Sequence, residues 1–188
     1  GRLYRSNEVR QKLIAVYVSL ILRAVASEPS YSHTLVTRCL VAADSQDIRP
    51  LIVLNKCDLT DRLPAAKESL ATYRSLGYPI IELSARNGPD TLRQHLKGET
   101  SVLVGQSGMG KSTLLNALVP GANAATREIS EALDTGKHTT THARLYHLDA
   151  ETHLIDSPGL QEFGLHHLDL HTLEAAFPEF GPHLGRCR

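Results

Sequence analysis

Nine consecutive residues, Gly105, Gln106, Ser107, Gly108, Met109, Gly110, Lys111, Ser112 and Thr113, carry the chemical pattern that asks most of local geometry. The glycines let the backbone turn tightly enough for successive N–H groups to face phosphate oxygens. The apolar run "SVLVGQ" leads into the turn and "KSTLLNALV" leads out of it. That is the strand–turn–helix setting which G-x-x-x-x-G-K-[ST] requires. A helix beginning near Lys111 adds its positive dipole end. Lys111 is then placed to reach the β- and γ-phosphates, and the Ser112 hydroxyl to ligate Mg²⁺. A nucleoside triphosphate is the ligand this stretch is built for.

The base is read elsewhere. Asn55, Lys56, Cys57 and Asp58 form "NKCD" at the end of the apolar run "RPLIVLNK", where open α/β sheets bind their ligands. A carboxylate at Asp58 accepts hydrogen bonds from both guanine N1–H and the exocyclic amine. Adenine offers neither, and leaves the acid desolvated and unpaired. Lys56 lays its aliphatic stem along the base, and Asn55 braces the loop. Ser84 and Ala85, within "SAR", end the next run; the Ala85 N–H is a donor for guanine O6.

Two further segments suit the γ-phosphate. "DSPG" offers Asp156, which holds Mg²⁺ through water, and Gly159, whose N–H contacts the γ-phosphate. Read alone, D-x-P-G is an ordinary turn; its place after a strand that follows the cradle gives it meaning. "GKHTTTHARLY" offers three threonines, of which Thr140, with Thr141 as runner-up, completes the Mg²⁺ shell. Such loops order around the γ-phosphate and release on hydrolysis. Gly159 is followed by Leu160, and an apolar side chain cannot orient water. His138 is the candidate for that work, since an imidazole positions or partly deprotonates water near neutral pH; the alternative is a solvated loop histidine.

The elements that must hold these residues follow from periodicity. Six strand-like runs stand out: Val16 to Ala26, Arg49 to Lys56, Tyr78 to Ala85, Ser101 to Gln106, Ala143 to Asp149 and Thr152 to Gly159. Helical patterns cover Tyr31 to Gln46, Thr60 to Leu76 and Asp90 to Leu96. Alternation predicts a mostly parallel six-stranded sheet with helices on both faces. The last two runs, separated by Ala150 and Glu151, predict a hairpin that adds one antiparallel edge strand. Gly121 to Thr141 has no convincing periodicity, and a loop of that length in a compact domain is functional or mobile. One more helix is expected after Gly164, ending near "FPEFGP".

The order of these pieces is unusual. Asn55 precedes Gly105 by fifty residues, whereas the base loops of guanine-nucleotide switches usually come last. Joining the usual ends at "LKGETSV" and cutting after "DSPG" converts one order into the other, and close termini allow this without loss of fold. The order, "GQSGMGKST", "HTTTHARLY", "DSPGLQEFGL" and the closing "FPEFGPHLGRCR" together resemble the RsgA (YjeQ) type of circularly permuted GTPase over nearly the whole chain. The resemblance implies an α/β P-loop GTPase fold and slow GTP hydrolysis stimulated by the small ribosomal subunit, in late maturation of that subunit. It implicates His138, ahead of the threonines, in hydrolysis; Lys111 and Thr140, read above from the cradle and the threonine loop, are the other catalytic candidates. It also implies an N-terminal OB-fold for RNA and a C-terminal zinc domain. This chain spells out neither: Cys187 stands where a first zinc ligand would be, and a structural zinc site needs four. Zinc is therefore expected only in a full-length parent, as is contact with the subunit and its rRNA.

On this reading residues 1–15 link to a missing N-terminal domain, 16–165 form the permuted GTPase domain, and 166–188 are a helical segment and the start of a truncated zinc domain. Bulk properties agree. The 188 residues allow one sizeable domain, and twenty Lys plus Arg balance twenty Asp plus Glu, which argues against a strongly nucleic-acid-binding chain. The basic cluster Arg2, Arg5, Arg10 and Lys12 reads as linker or as RNA contact. Three widely spaced cysteines suggest no disulfide framework, and no apolar run approaches the roughly twenty residues of a membrane span. A cytoplasmic, soluble monomer is expected. The histidines at 166, 167, 171 and 183 follow no metal-ligand spacing. Two other functions stay open: a guanine-nucleotide-dependent interaction module with negligible hydrolysis, and a permuted GTPase of large-subunit assembly.

Overall fold

The computed structural model describes residues 3–6, 11–15, 17–122, 124, 143–157, 165 and 168–183. Strands β1 (Leu3–Ser6) and β2 (Gln11–Ala15) pair antiparallel as a separate two-stranded sheet, in the stretch expected to be a linker.

The main sheet has six strands in the order β5-β4-β3-β6-β8-β7: β3 (Leu20–Ala26), β4 (Arg49–Asn55), β5 (Ile80–Glu82), β6 (Thr100–Val104), β7 (Arg144–His147) and β8 (His153–Asp156). All neighbours are parallel except β7 with β8. β3 is fully buried along its length, as a strand flanked by partners and covered on both faces must be. It starts later than Val16 because Tyr17 has φ +60 and stands 86% exposed, a conformation no ladder accepts. β7 and β8 form the expected hairpin with a longer loop than Ala150 and Glu151 alone. The Asp149 carboxylate accepts from the amides of Glu151 and Thr152, and His147 lies opposite His153.

Helices cover both faces. α1 (His33–Asp44) is capped by Ser32, whose hydroxyl accepts from the Leu35 amide, and buries Val36, Cys39, Leu40 and Ala43 at helical spacing. The pattern over Thr60 to Leu76 resolves into α2 (Leu63–Ser69) and α3 (Ala71–Ser75). Pro64 suits the first turn. Ser69 Oγ donates to the Ala66 carbonyl, and the Leu70 amide closes a tighter turn on Lys67, which breaks the helix. α4 (Asp90–Leu96) and α5 (Lys111–Leu118) bury Leu92, Leu96, Leu114, Leu115 and Leu118 against Leu22 and Leu103 on the other face. α6 (Leu170–Ala175) and a 3₁₀ turn (Pro178–His183) close the described chain.

Candidate functional site

Parallel strands deliver their following loops to one edge of a sheet, and there the predicted pieces meet. β6 runs into the Gly105–Gly110 turn and α5 leaves it. Gly105 lies so close to β3 that a Cβ there would stand 2.7 Å from the Ala24 carbonyl oxygen. Gly110, at φ +82, starts α5 from a left-handed conformation, and its Cβ would stand 2.4 Å from Asn55 Nδ2. Both positions admit only glycine. Met109 is buried in the core and pins the turn from below, whereas Ser107 is exposed. Ser112 and Thr113 lie half-buried in the first turn of α5.

Lys111 folds back over the cradle, its Nζ donating to the Gln106 carbonyl at 2.7 Å. Burial pushes its ammonium down to about 8, against the pull of Asp156 and with a smaller push from Arg23. Asp156, half-buried at the end of β8 and in register with Leu103, has its carboxyl raised by burial, opposed by Lys111 and Arg144. Lysine and acid therefore face a common low-dielectric space beside the cradle.

Asn55 joins this end to the loops expected to read the base. Its side chain is buried at the tip of β4; Nδ2 donates to the Met109 carbonyl at 3.0 Å and Oδ1 accepts from the Ala85 amide at 2.9 Å. One amide thus clamps the cradle to "SAR". The same bond occupies the Ala85 N–H, so that donor reaches a base only as a shared one. Lys56 adopts φ +62, and its Nζ donates to the Glu28 carbonyl at 2.8 Å; its Cε lies 3.8 Å from the Cβ position of Gly110. Asp58 is exposed. The Ser84 hydroxyl holds its carboxyl below the usual range, with smaller help from Arg86 and Lys56. Ser84 Oγ is itself buried with no conventional hydrogen-bond partner among the described residues. Cys57 is half-buried, its thiol raised by burial.

A buttress that sequence reasoning did not find is the loop after β3. Ser27 Oγ donates to the Lys56 carbonyl at 2.7 Å, the Ser32 amide donates to Gln106 Oε1 at 2.6 Å, and Pro29 lies 3.0 Å from the Cβ position of Gly108. The available signal was "SEPS", a turn-forming group directly after a buried strand at the ligand-binding edge. His138, Thr140, Thr141, Gly159, Leu160 and Cys187 lie outside the described residues.

The structure therefore brings "NKCD", "SAR", the cradle and Asp156 to one edge. The family model of the RsgA GTPase matches residues 1–166. This chain belongs to the RsgA GTPase family. It is 55% identical over 194 residues to the small ribosomal subunit biogenesis GTPase RsgA of Ralstonia pickettii, and 53% identical over 190 residues to that of Burkholderia mallei. In each case 99% of this chain is covered, but it spans only 62% and 60% of those relatives' length. Among solved structures, YjeQ from Thermotoga maritima superposes with a TM-score of 0.68 at 28% identity, over 95% of this chain and 66% of that one. YloQ, described as a circularly permuted GTPase, gives 0.66 at 25% identity, over 98% of this chain and 64% of that one. The permuted order read from the RsgA-family sequence thus goes with a permuted fold. Among the described residues no helix is long and apolar enough to cross a membrane.

Proposed function

We propose that this chain is the guanine-nucleotide-binding and hydrolysing core of an assembly factor for the small ribosomal subunit. The observation that carries the reading is the Asn55 clamp, which fixes the base-reading loops relative to the phosphate cradle. Asp58 accepts from guanine N1–H and the exocyclic amine. Lys56 flanks the base with its stem, while Ser84 and Ala85 support the base loop. The N–H groups of Gly105 to Thr113 surround the phosphates, and Lys111 exchanges the Gln106 carbonyl for phosphate oxygens. Ser112 and Asp156 supply the hard oxygen donors that Mg²⁺ prefers, completed by Thr140. Mg²⁺ neutralises charge on the phosphates when bound. Gly159 contacts the γ-phosphate, and His138 orients the attacking water that Leu160 cannot.

The subunit as partner comes from the names of the relatives, and the full-length protein makes that contact and any contact with rRNA. It acts as a monomer in the cytoplasm. Residues 1–15 connect to a preceding domain, 16–165 do the nucleotide chemistry, and 166–188 lead towards a zinc-binding domain that includes Cys187.

GTP turnover of the full-length protein, with and without purified small subunits, tests the reading. We expect slow turnover that rises at least tenfold with subunits; no stimulation removes the assembly role, and tight GDP binding without turnover reduces the chain to a binding module. In the same assay His138→Ala should lower turnover about 10²-fold and leave GDP affinity unchanged. A normal rate takes His138 out of catalysis.

A further inference from the structure

Strand β3 carries a charge in a place that has no apolar use for one. Arg23 lies between β4 and β6, opposite Ile52 and Val104, and is 0% exposed. None of its three guanidinium nitrogens has a hydrogen-bond partner among the described residues. Alternation sends Leu22 and Ala24 into the α4–α5 layer, and Ile21 and Val25 into the α1 layer, so Arg23 points with the latter. The groups whose charge it feels there are Cys39 of α1 and Tyr73 of α3. Neither is a carboxylate, and burial pushes the Cys39 thiol up to about 12, so it offers no anion near neutral pH. Burial also pulls the Arg23 pKa down, yet a guanidinium stays charged. A cation with no counter-charge among the described residues is among the most costly groups a core can hold.

Its position suggests where the counter-charge comes from. Arg23 pairs in register with Val104, the last residue before the cradle, and Gly105 packs directly on the carbonyl of the next residue, Ala24. The Arg23 backbone therefore lies one step below the phosphate-binding turn, and although its side chain enters the α1 layer on the face opposite α5, its charge still acts on Lys111.

We propose that Arg23 is a buried counter-charge for the polyphosphate of the bound nucleotide, setting affinity through its field without touching the ligand. This rests on the reading that the cradle holds a guanosine di- or triphosphate. The coupling is reciprocal. A bound polyphosphate offsets the cost of the buried cation, and the cation raises affinity for the polyphosphate by the same factor. A unit charge acting across about 10 Å at an effective dielectric near 20 changes an equilibrium roughly tenfold. The effect grows with ligand charge, so it is larger for the triphosphate than for the diphosphate.

The experiment compares full-length wild type, Arg23→Met, which keeps the stem and removes the charge, and Arg23→Lys, which keeps the charge. Dissociation constants for a fluorescent GDP and a non-hydrolysable GTP analogue are measured in Mg²⁺, with the nucleotide-free melting midpoint beside them. We expect Arg23→Met to bind GDP about tenfold more weakly and the GTP analogue more weakly still, to melt no lower than wild type without nucleotide, and to regain most affinity as Arg23→Lys. Unchanged affinities in Arg23→Met overturn the proposal. So does a lower nucleotide-free midpoint, which would make Arg23 a paired structural residue. If wild type itself binds no guanine nucleotide, the functional reading falls first and this one with it.

Discussion

At the scale of single residues, the site divides into groups that touch a ligand and groups that hold those in place. On the proposed reading Asp58 belongs to the first kind, since it is exposed and the Ser84 hydroxyl holds its carboxyl below the usual range. A carboxylate accepts two hydrogen bonds from guanine, whereas an asparagine offers one acceptor and one donor to the same edge. Asp58→Asn should therefore lower GTP affinity by about 10²–10⁴-fold and favour xanthine nucleotides, whose second keto group takes the new donor. Competition binding between GTP and XTP measures the exchange, and unchanged GTP preference places the base elsewhere. Asn55 belongs to the second kind. Its two bonds are buried, so its contribution is to geometry rather than to recognition.

At the scale of elements, the same clamp explains why one cradle glycine is irreplaceable. Gly110→Ala forces a Cβ to within 2.4 Å of Asn55 Nδ2 at φ +82, so either the turn that starts α5 or the clamp must give. The left-handed conformation alone costs an alanine about 1–2 kcal/mol, and a broken buried bond about 1–3 kcal/mol more. We expect a melting midpoint lower by several degrees, with nucleotide affinity falling together with it; calorimetry and binding check both, and a variant that melts and binds as wild type refutes the clamp. The tight turn of Gly105 to Gly110 was legible in the sequence because backbone geometry forces glycine at fixed spacing, and the meeting of "NKCD" with it at one sheet edge because both follow parallel strands. Element types were legible from periodicity. The division of Thr60 to Leu76 was not, because the Ser69 hydroxyl bond that makes it is invisible to hydrophobic pattern. Nor was the buttress of Ser27, Pro29 and Ser32, which acts through backbone atoms and packing. Arg23 was passed over inside an apolar run, where only the strand order shows that it has strands on both sides.

At the scale of the whole molecule, permutation divides the sheet into the half proposed to read the base, β3 to β5, and the half proposed to read the phosphates, β6 to β8, which follow one another along the chain. The ladder from Leu20↔Ser101 to Arg23↔Val104 and the Asn55 clamp join them. A nucleotide that spans both halves should therefore strengthen the seam. Cys39 reports on it, because it lies in one buried cluster with Ile21 of one half and Val102, Val104 and Ile155 of the other. Its thiol is fully buried and raised to about 12, so at pH 8 it reacts only when the packing opens and an ordinary thiol pKa returns. With reclosing faster than alkylation, the labelling rate follows the open population, which a ligand specific for the closed form lowers by the factor 1 + [L]/Kd. GDP at about 100 times its Kd should then slow iodoacetamide labelling of Cys39 roughly 100-fold, read on its own peptide by mass spectrometry. Cys57, half-buried in the base loop, serves as the local comparison. Labelling of Cys39 that is indifferent to GDP would mean that the two halves open without releasing the nucleotide, and the seam would carry none of its binding energy.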